Sequence, residues 1–144
     1  MDMDMKEKRI HSAHCALRVA YGVVPIVAGL DKFTNLLVDW RMYLSPVFER
    51  LLPVSPTTFM HLVGVIEIAV GLAVLTVATR AGAYVAAAWL VCIAIDIVTS
   101  GQHLDVAVRD LVMAVGAYTL ARLEEARERE PAHGGQLKQA GATT

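Results

Sequence analysis

Apolar residues gather into four long stretches separated by short polar or helix-breaking segments. Each stretch is close to the ~20 residues that a helix needs to cross a bilayer, so the pattern predicts helices that span a membrane. The first runs from Ala13 to Leu37 and includes Arg18, Pro25, Asp31 and Lys32. The second, Thr57 to Ala78, carries Glu67 as its single charge, and the third, Gly82 to Thr99, closes with Asp96. The fourth, Asp105 to Leu123, is the least apolar, with Arg109 and Asp110 in its opening turns. Leu52-Pro53-Val54-Ser55-Pro56, Thr79-Arg80-Ala81 and Ser100-Gly101-Gln102-His103 punctuate these runs, and links this short make neighbouring helices antiparallel. Val38 to Leu52 mixes Trp40, Tyr43, Phe48 and Leu51 with Asp39, Arg41, Glu49 and Arg50, the profile of a helix lying in the interface plane or of a partly re-entrant segment.

The expected fold is therefore all-α: an integral membrane four-helix antiparallel bundle with an interfacial helix between spans 1 and 2. Residues 1–12 form an N-terminal segment, 13–123 the membrane domain, and 124–144 a polar tail that starts as a helix with alternating charges and then loses structure.

Composition narrows the partners. The 144 residues are 56% hydrophobic and 19% charged, with a net charge of -1, so the chain has no basic field to recruit nucleic acid, and the lipid bilayer is its first partner. Cys15 and Cys92 form no CxxC pair and read as small buried apolar residues. His61 and His103 show no metal-ligand spacing, so no metal is expected, and no phosphate loop or nucleophile motif is present.

Lys6, Lys8, Arg9, Arg80, Arg122, Arg127, Arg129 and Lys138 fall on one side of this topology and Lys32, Arg41 and Arg50 on the other; eight against three puts both termini in the cytoplasm. The front of the chain also has the outline of a secretory signal, but Arg18 stands where a signal's apolar region starts, so the first span is retained.

Charges inside apolar spans cost at least about 2.5–3.5 kcal/mol each near the bilayer centre, so they turn toward the bundle interior and mark a site or a structural pair. On a helix, Arg18, Gly22, Pro25, Gly29 and Lys32 share one stripe, and His61, Gly64, Glu67 and Gly71 share a face of the second span. Glu67 lies near the middle of its span; its expected partner is Arg18, or failing that a carbonyl freed by Pro25. Asp31, Lys32, Asp96, His103, Asp105, Arg109 and Asp110 collect at the opposite end from the termini, with Arg109–Asp96 and Lys32–Asp110 as the preferred pairs. Arg18, Lys32, Glu67, Asp96, Arg109 and Asp110 are thus the candidate polar cluster, read as a salt-bridge network that staples the helices, as a pocket for a head group, quinone ring or small anion, or as a proton relay.

Arg18-x3-Gly22-x6-Gly29-x2-Lys32-Phe33, followed by Gly64-x2-Glu67-x3-Gly71, resembles the DoxX family of small four-span bacterial membrane proteins, over about residues 15–122. The resemblance implies a plasma-membrane bundle associated, in several members, with respiratory or sulfur redox systems and the quinone pool. It implies an auxiliary subunit with a quinone as candidate cofactor and with further copies or other redox subunits as partners. Members of the wider group that handle thiols often carry a CxxC, which this chain lacks. Arg18, Gly22, Gly29, Lys32, Glu67 and Gly71 match the family pattern; Asp96, Arg109 and Asp110 rest on their depth alone. The rival readings are a small proton-coupled transporter or channel using Glu67, and a purely structural subunit of a larger complex.

Overall fold

The computed structural model describes residues 2–76 and 78–140. Met1 of the N-terminal segment, Val77 of the second expected span and residues 141–144 of the tail lie outside the described residues. The described residues are helical with turns and no strand: α1 (Asp2–Thr34), a 3-10 turn (Trp40–Tyr43), α2 (Pro46–Leu51), α3 (Pro56–Leu75), α4 (Thr79–Ser100) and α5 (Leu104–Ala140). α1 packs along α3, α3 against α4 and α4 along α5, with α5 closing against α1, so the four long helices form an antiparallel bundle.

Local chemistry sets the helix ends. Asn35 enters the left-handed region at φ 49° and stops α1, while Asp31 Oδ1 accepts from the amides of Leu36 and Leu37 at 2.9 and 3.0 Å. Ser55 caps α3 by accepting from the Thr58 amide, and Pro56 occupies its first turn, where a missing N–H costs nothing. Gly101, at φ 70°, closes α4 in the left-handed conformation that glycine adopts without strain. Thr79, Arg80 and Ala81 are already helical, so the break between α3 and α4 falls earlier in the chain than the sequence suggests, directly after Leu75. Between α1 and α3 the expected interfacial helix is two short pieces, because Leu44 and Ser45 are extended and Ser45 restarts the helix by capping Val47 ahead of Pro46. α5 remains helical past Pro131 as far as Ala140.

The core mixes small residues with a few large ones, and most large apolar side chains face outward. Ala83, Ala86, Ala94, Ala107, Ala114, Ala117 and Ala121 are buried with Val63, Val70, Val74, Ile97 and Leu120, whereas Val19, Val23, Leu62, Val65, Val85, Ile95, Val112 and Val115 face outward. Outward-facing large side chains and buried small ones suit helices in lipid, where close backbone approach helps to hold neighbours together. Residues 7–34, 56–75 and 79–100 are each long and apolar enough to cross a membrane. Among the described residues α5 does not join them, because Asp105, Arg109 and Asp110 at one end and Arg122 at the other shorten its apolar stretch.

Glycines fix the α1–α3 register. A Cβ on Gly29 would stand 2.5 Å from the Gly64 carbonyl oxygen, and one on Gly71 would stand 2.5 Å from the Gly22 carbonyl oxygen. No other residue fits backbone against backbone at these two crossings, and together they align 29 with 64 and 22 with 71.

Candidate functional site

The charged stripe of α1 faces α3. Lys32, in the last turn of α1, and Glu67, in the middle of α3, meet with Nζ 2.6 Å from Oε2, their side chains only 4% and 9% exposed. Helical side chains lean toward their own N-terminus. Lys32 therefore leans from the end of α1 toward mid-bundle, and Glu67, on an antiparallel helix, leans back to meet it. Arg18 leans away toward the far end, so the expected Arg18–Glu67 contact does not form. Arg18 instead donates from Nε to the carbonyl of Val74 at 3.1 Å and from Nη2 to those of Leu75 and Thr76 at 2.8 and 2.7 Å. These carbonyls end α3 and lack helical partners, so a guanidinium completes both their hydrogen bonding and the negative end of the helix dipole.

Aromatic rings wall the ion pair. The Trp40 ring lies over the Lys32 ammonium, 3.6 Å from nitrogen to ring centroid, a cation–π contact. Its indole N–H donates to Asp31 Oδ2 at 2.7 Å, so Asp31 both turns the chain after α1 and holds this ring in place. Trp89, from α4, brings its buried indole N–H toward the Glu67 carboxylate, short of ideal hydrogen-bond geometry. Asp110 of α5 is also within electrostatic reach of both Lys32 and Glu67.

The remaining expected pairings differ. Arg109 donates to its neighbour Asp110 at 3.0 Å and not to Asp96; the guanidinium is 62% exposed while the Asp110 side chain is 5% exposed. Adjacent helical positions point about 100° apart, yet the long Arg109 side chain curls back to the carboxylate. Lys32, claimed by Glu67, makes no direct ion pair with Asp110 among the described residues. Asp96 turns to the connector: Oδ2 accepts from the Ser45 amide at 3.3 Å, while the Ser45 and Thr99 hydroxyls bond each other at 3.0 Å. Its Oδ1 is buried and unpartnered among the described residues. Lys32 and Glu67 thus form one centre, with Asp110 beside it, while Arg18 and Asp96 belong to separate contacts.

Other sequence expectations change as well. Cys15 and Cys92 are exposed and not buried, because each sits on the outward face of its helix. His61 stacks on Phe33 with centroids 4.9 Å apart, and His103 meets Tyr43 edge-on at 5.1 Å. In the connector, Asp39 and Arg41 pair at 2.9 Å, and the guanidinium holds the Asp39 carboxyl below the usual carboxylate range.

Sequence reasoning missed a polar joint at the other end of the bundle. His14 is buried against α5, with Nε2 bonded to Glu124 and Nδ1 bonded to Arg127. Tyr84 donates to Glu125 at 2.8 Å, and Arg80 pairs with Glu128 at 2.6 Å. The one signal for it in residue order is that His14 lies one turn before Arg18, on the same face of α1.

Comparison with curated proteins and with solved structures gave no match. The DoxX family matches residues 13–99, from the α1 charge stripe through α3 and its glutamate to the last turn of α4. With well over half of the chain matched, and an all-helical bundle carrying apolar, membrane-length helices, this protein belongs to the DoxX family of membrane proteins.

Proposed function

We propose that this small integral membrane protein is an auxiliary subunit of a membrane redox system, and that its Lys32–Glu67 centre receives the head group of a quinone. One observation carries the reading: a buried ion pair with the Trp40 ring over its ammonium and the Trp89 indole N–H beside its carboxylate, among apolar helices. The donor chemistry suits such a ring. The Lys32 ammonium and Trp89 N–H are donors for carbonyl oxygens, and the indole faces offer stacking. When bound, a quinone supplies two-electron, two-proton exchange with the membrane pool. Lys32 and Glu67 would orient it and exclude water, with the Lys32 ammonium as the proton-bearing group.

In the same reading α5 is a fourth span, despite its charged ends, and both termini lie on the cytoplasmic side of the bacterial plasma membrane, as the excess of Lys and Arg there favours. Further copies or other redox subunits cover part of the outward apolar surface. Purification in mild detergent, extraction and mass spectrometry test the reading. Quinone is expected in stoichiometric amount from the unmodified protein and not from Glu67→Gln or Trp89→Phe; well-folded protein without quinone overturns it.

The closeness of the 2.6 Å pair favours a second reading, in which Lys32 and Glu67 only staple α1 to α3. A matched Lys32→Met/Glu67→Leu protein then keeps its stability and its partner subunits. Were Glu67 instead the titrating group of a transporter, Glu67→Gln would abolish flux in proteoliposomes.

A further inference from the structure

Asp31 and Lys32 are adjacent in sequence, opposite in charge and both buried, at 5% and 4% exposure, yet among the described residues they make no ion pair with each other. Neighbouring helical positions point about 100° apart, and each side chain turns to partners of its own. Asp31 Oδ1 accepts from the amides of Leu36 and Leu37 at 2.9 and 3.0 Å and from the Thr34 hydroxyl at 3.2 Å, while Oδ2 accepts from the Trp40 indole N–H at 2.7 Å. Lys32 donates to Glu67 at 2.6 Å. Between the two charges lies one ring. Its edge bonds the carboxylate, and its face meets the ammonium, with 3.6 Å from nitrogen to centroid.

An aromatic ring is positive at its edge and negative on its faces, so this is the orientation in which an indole satisfies an anion and a cation at once. A carboxylate bonded to the N–H also pushes electron density into the ring, and linked polar contacts strengthen one another where water is scarce. The frame around the ring is local: the Trp40 amide donates to Asn35 Oδ1 at 3.4 Å, and Tyr43 packs beside the indole with centroids 6.3 Å apart. An ammonium has three N–H groups. A direct bond to Asp31 would draw Lys32 off Glu67 or occupy a donor that a head-group oxygen needs, whereas the ring delivers the Asp31 charge and does neither. We propose that Asp31 is a positioning residue of the Lys32–Glu67 centre and acts on Lys32 through Trp40, its charge carried by the indole from edge to face.

This role rests on the quinone reading of the Lys32–Glu67 centre, yet Lys32 itself reports it, so failure of the one is distinguishable from failure of the other. Proton NMR of the full chain in nanodiscs follows the Lys32 methylene beside the ammonium, which the indole face should displace upfield. Trp40→Leu should lose that displacement and so measures the share owed to the ring. Replacing Trp40 by 3-benzothienylalanine keeps the bicyclic face, puts sulfur in place of N–H, and leaves Asp31 with its bonds to the turn. The displacement should then shrink markedly; an undiminished one, or none in the unmodified chain, overturns the role. Asp31→Asn removes the charge and keeps one oxygen for the turn. It should shrink the displacement when Trp40 is present and add nothing when benzothienylalanine stands there. A further loss in that second background means that Asp31 reaches Lys32 by another route, and no loss in the first means that its charge is not felt; either result also overturns the role.

Discussion

The two ends of the α1–α3 contact handle buried charge differently. At the Lys32 end, a full cation meets a full anion inside the bundle, under an indole. At the Arg18 end, a cation meets only the carbonyls of Val74, Leu75 and Thr76 where α3 runs out. Position along α3 accounts for the difference. Mid-helix backbone groups are already bonded to each other, so a buried cation there needs a charged side chain, whereas a cation at the helix terminus is satisfied by the fractional charge of the orphan carbonyls. The first contact has the chemistry of a site and the second that of a cap.

Breaking the deep pair should have the largest effect. Glu67→Gln leaves Lys32 buried without its counter-charge, and the thermal unfolding midpoint in detergent should fall by the equivalent of about 3–5 kcal/mol. The Lys32→Met/Glu67→Leu pair should recover most of that loss, and failure to recover would mean that Glu67 has partners of equal weight. Arg18→Gln should cost less, about 1.5–3 kcal/mol, because it removes charge-assisted hydrogen bonds without stranding an opposite charge. If it matched Glu67→Gln in the same melt, the cap and the site would not differ in kind.

Smaller effects mark the rim. Arg109→Ala removes a guanidinium that is mostly exposed, and about 1 kcal/mol is the expected loss by the same measurement, since Lys32 still acts on Asp110. Asp39→Asn should leave stability at pH 7 nearly unchanged, because this pair lies wholly in the connector surface. Its signature is pH dependence. A carboxyl held below its ordinary value stabilises the fold above about pH 3.9, and the contribution is lost as pH falls through the depressed value. Carboxyl NMR should find Asp39 ionised below that range, and the shift should vanish in Arg41→Ala.

The α1 stripe is legible in residue order alone. Gly22, Gly29 and Lys32 share a helical face because of their spacing, and all three are buried against α3. The partner of Glu67 is not legible in the same way. With Gly29 on Gly64 and Gly22 on Gly71, Arg18 falls opposite Leu75, eight residues or about 12 Å along α3 from Glu67. Lys32 falls opposite His61, only six residues or about 9 Å away, and leans in the right direction. Likewise, nothing in the one-dimensional order brings His14 to Glu124 and Arg127, which meet because α5 returns along α1.

Apolar run length and glycine spacing, which depend only on residue order and helix pitch, were sufficient to determine a helical membrane protein and the face of α1 that turns toward α3. Which charge meets which was decided in three dimensions. Pairing depends on the register between helices and on the lean of each side chain along its axis, and both arise only when backbones touch at Gly29–Gly64 and Gly22–Gly71.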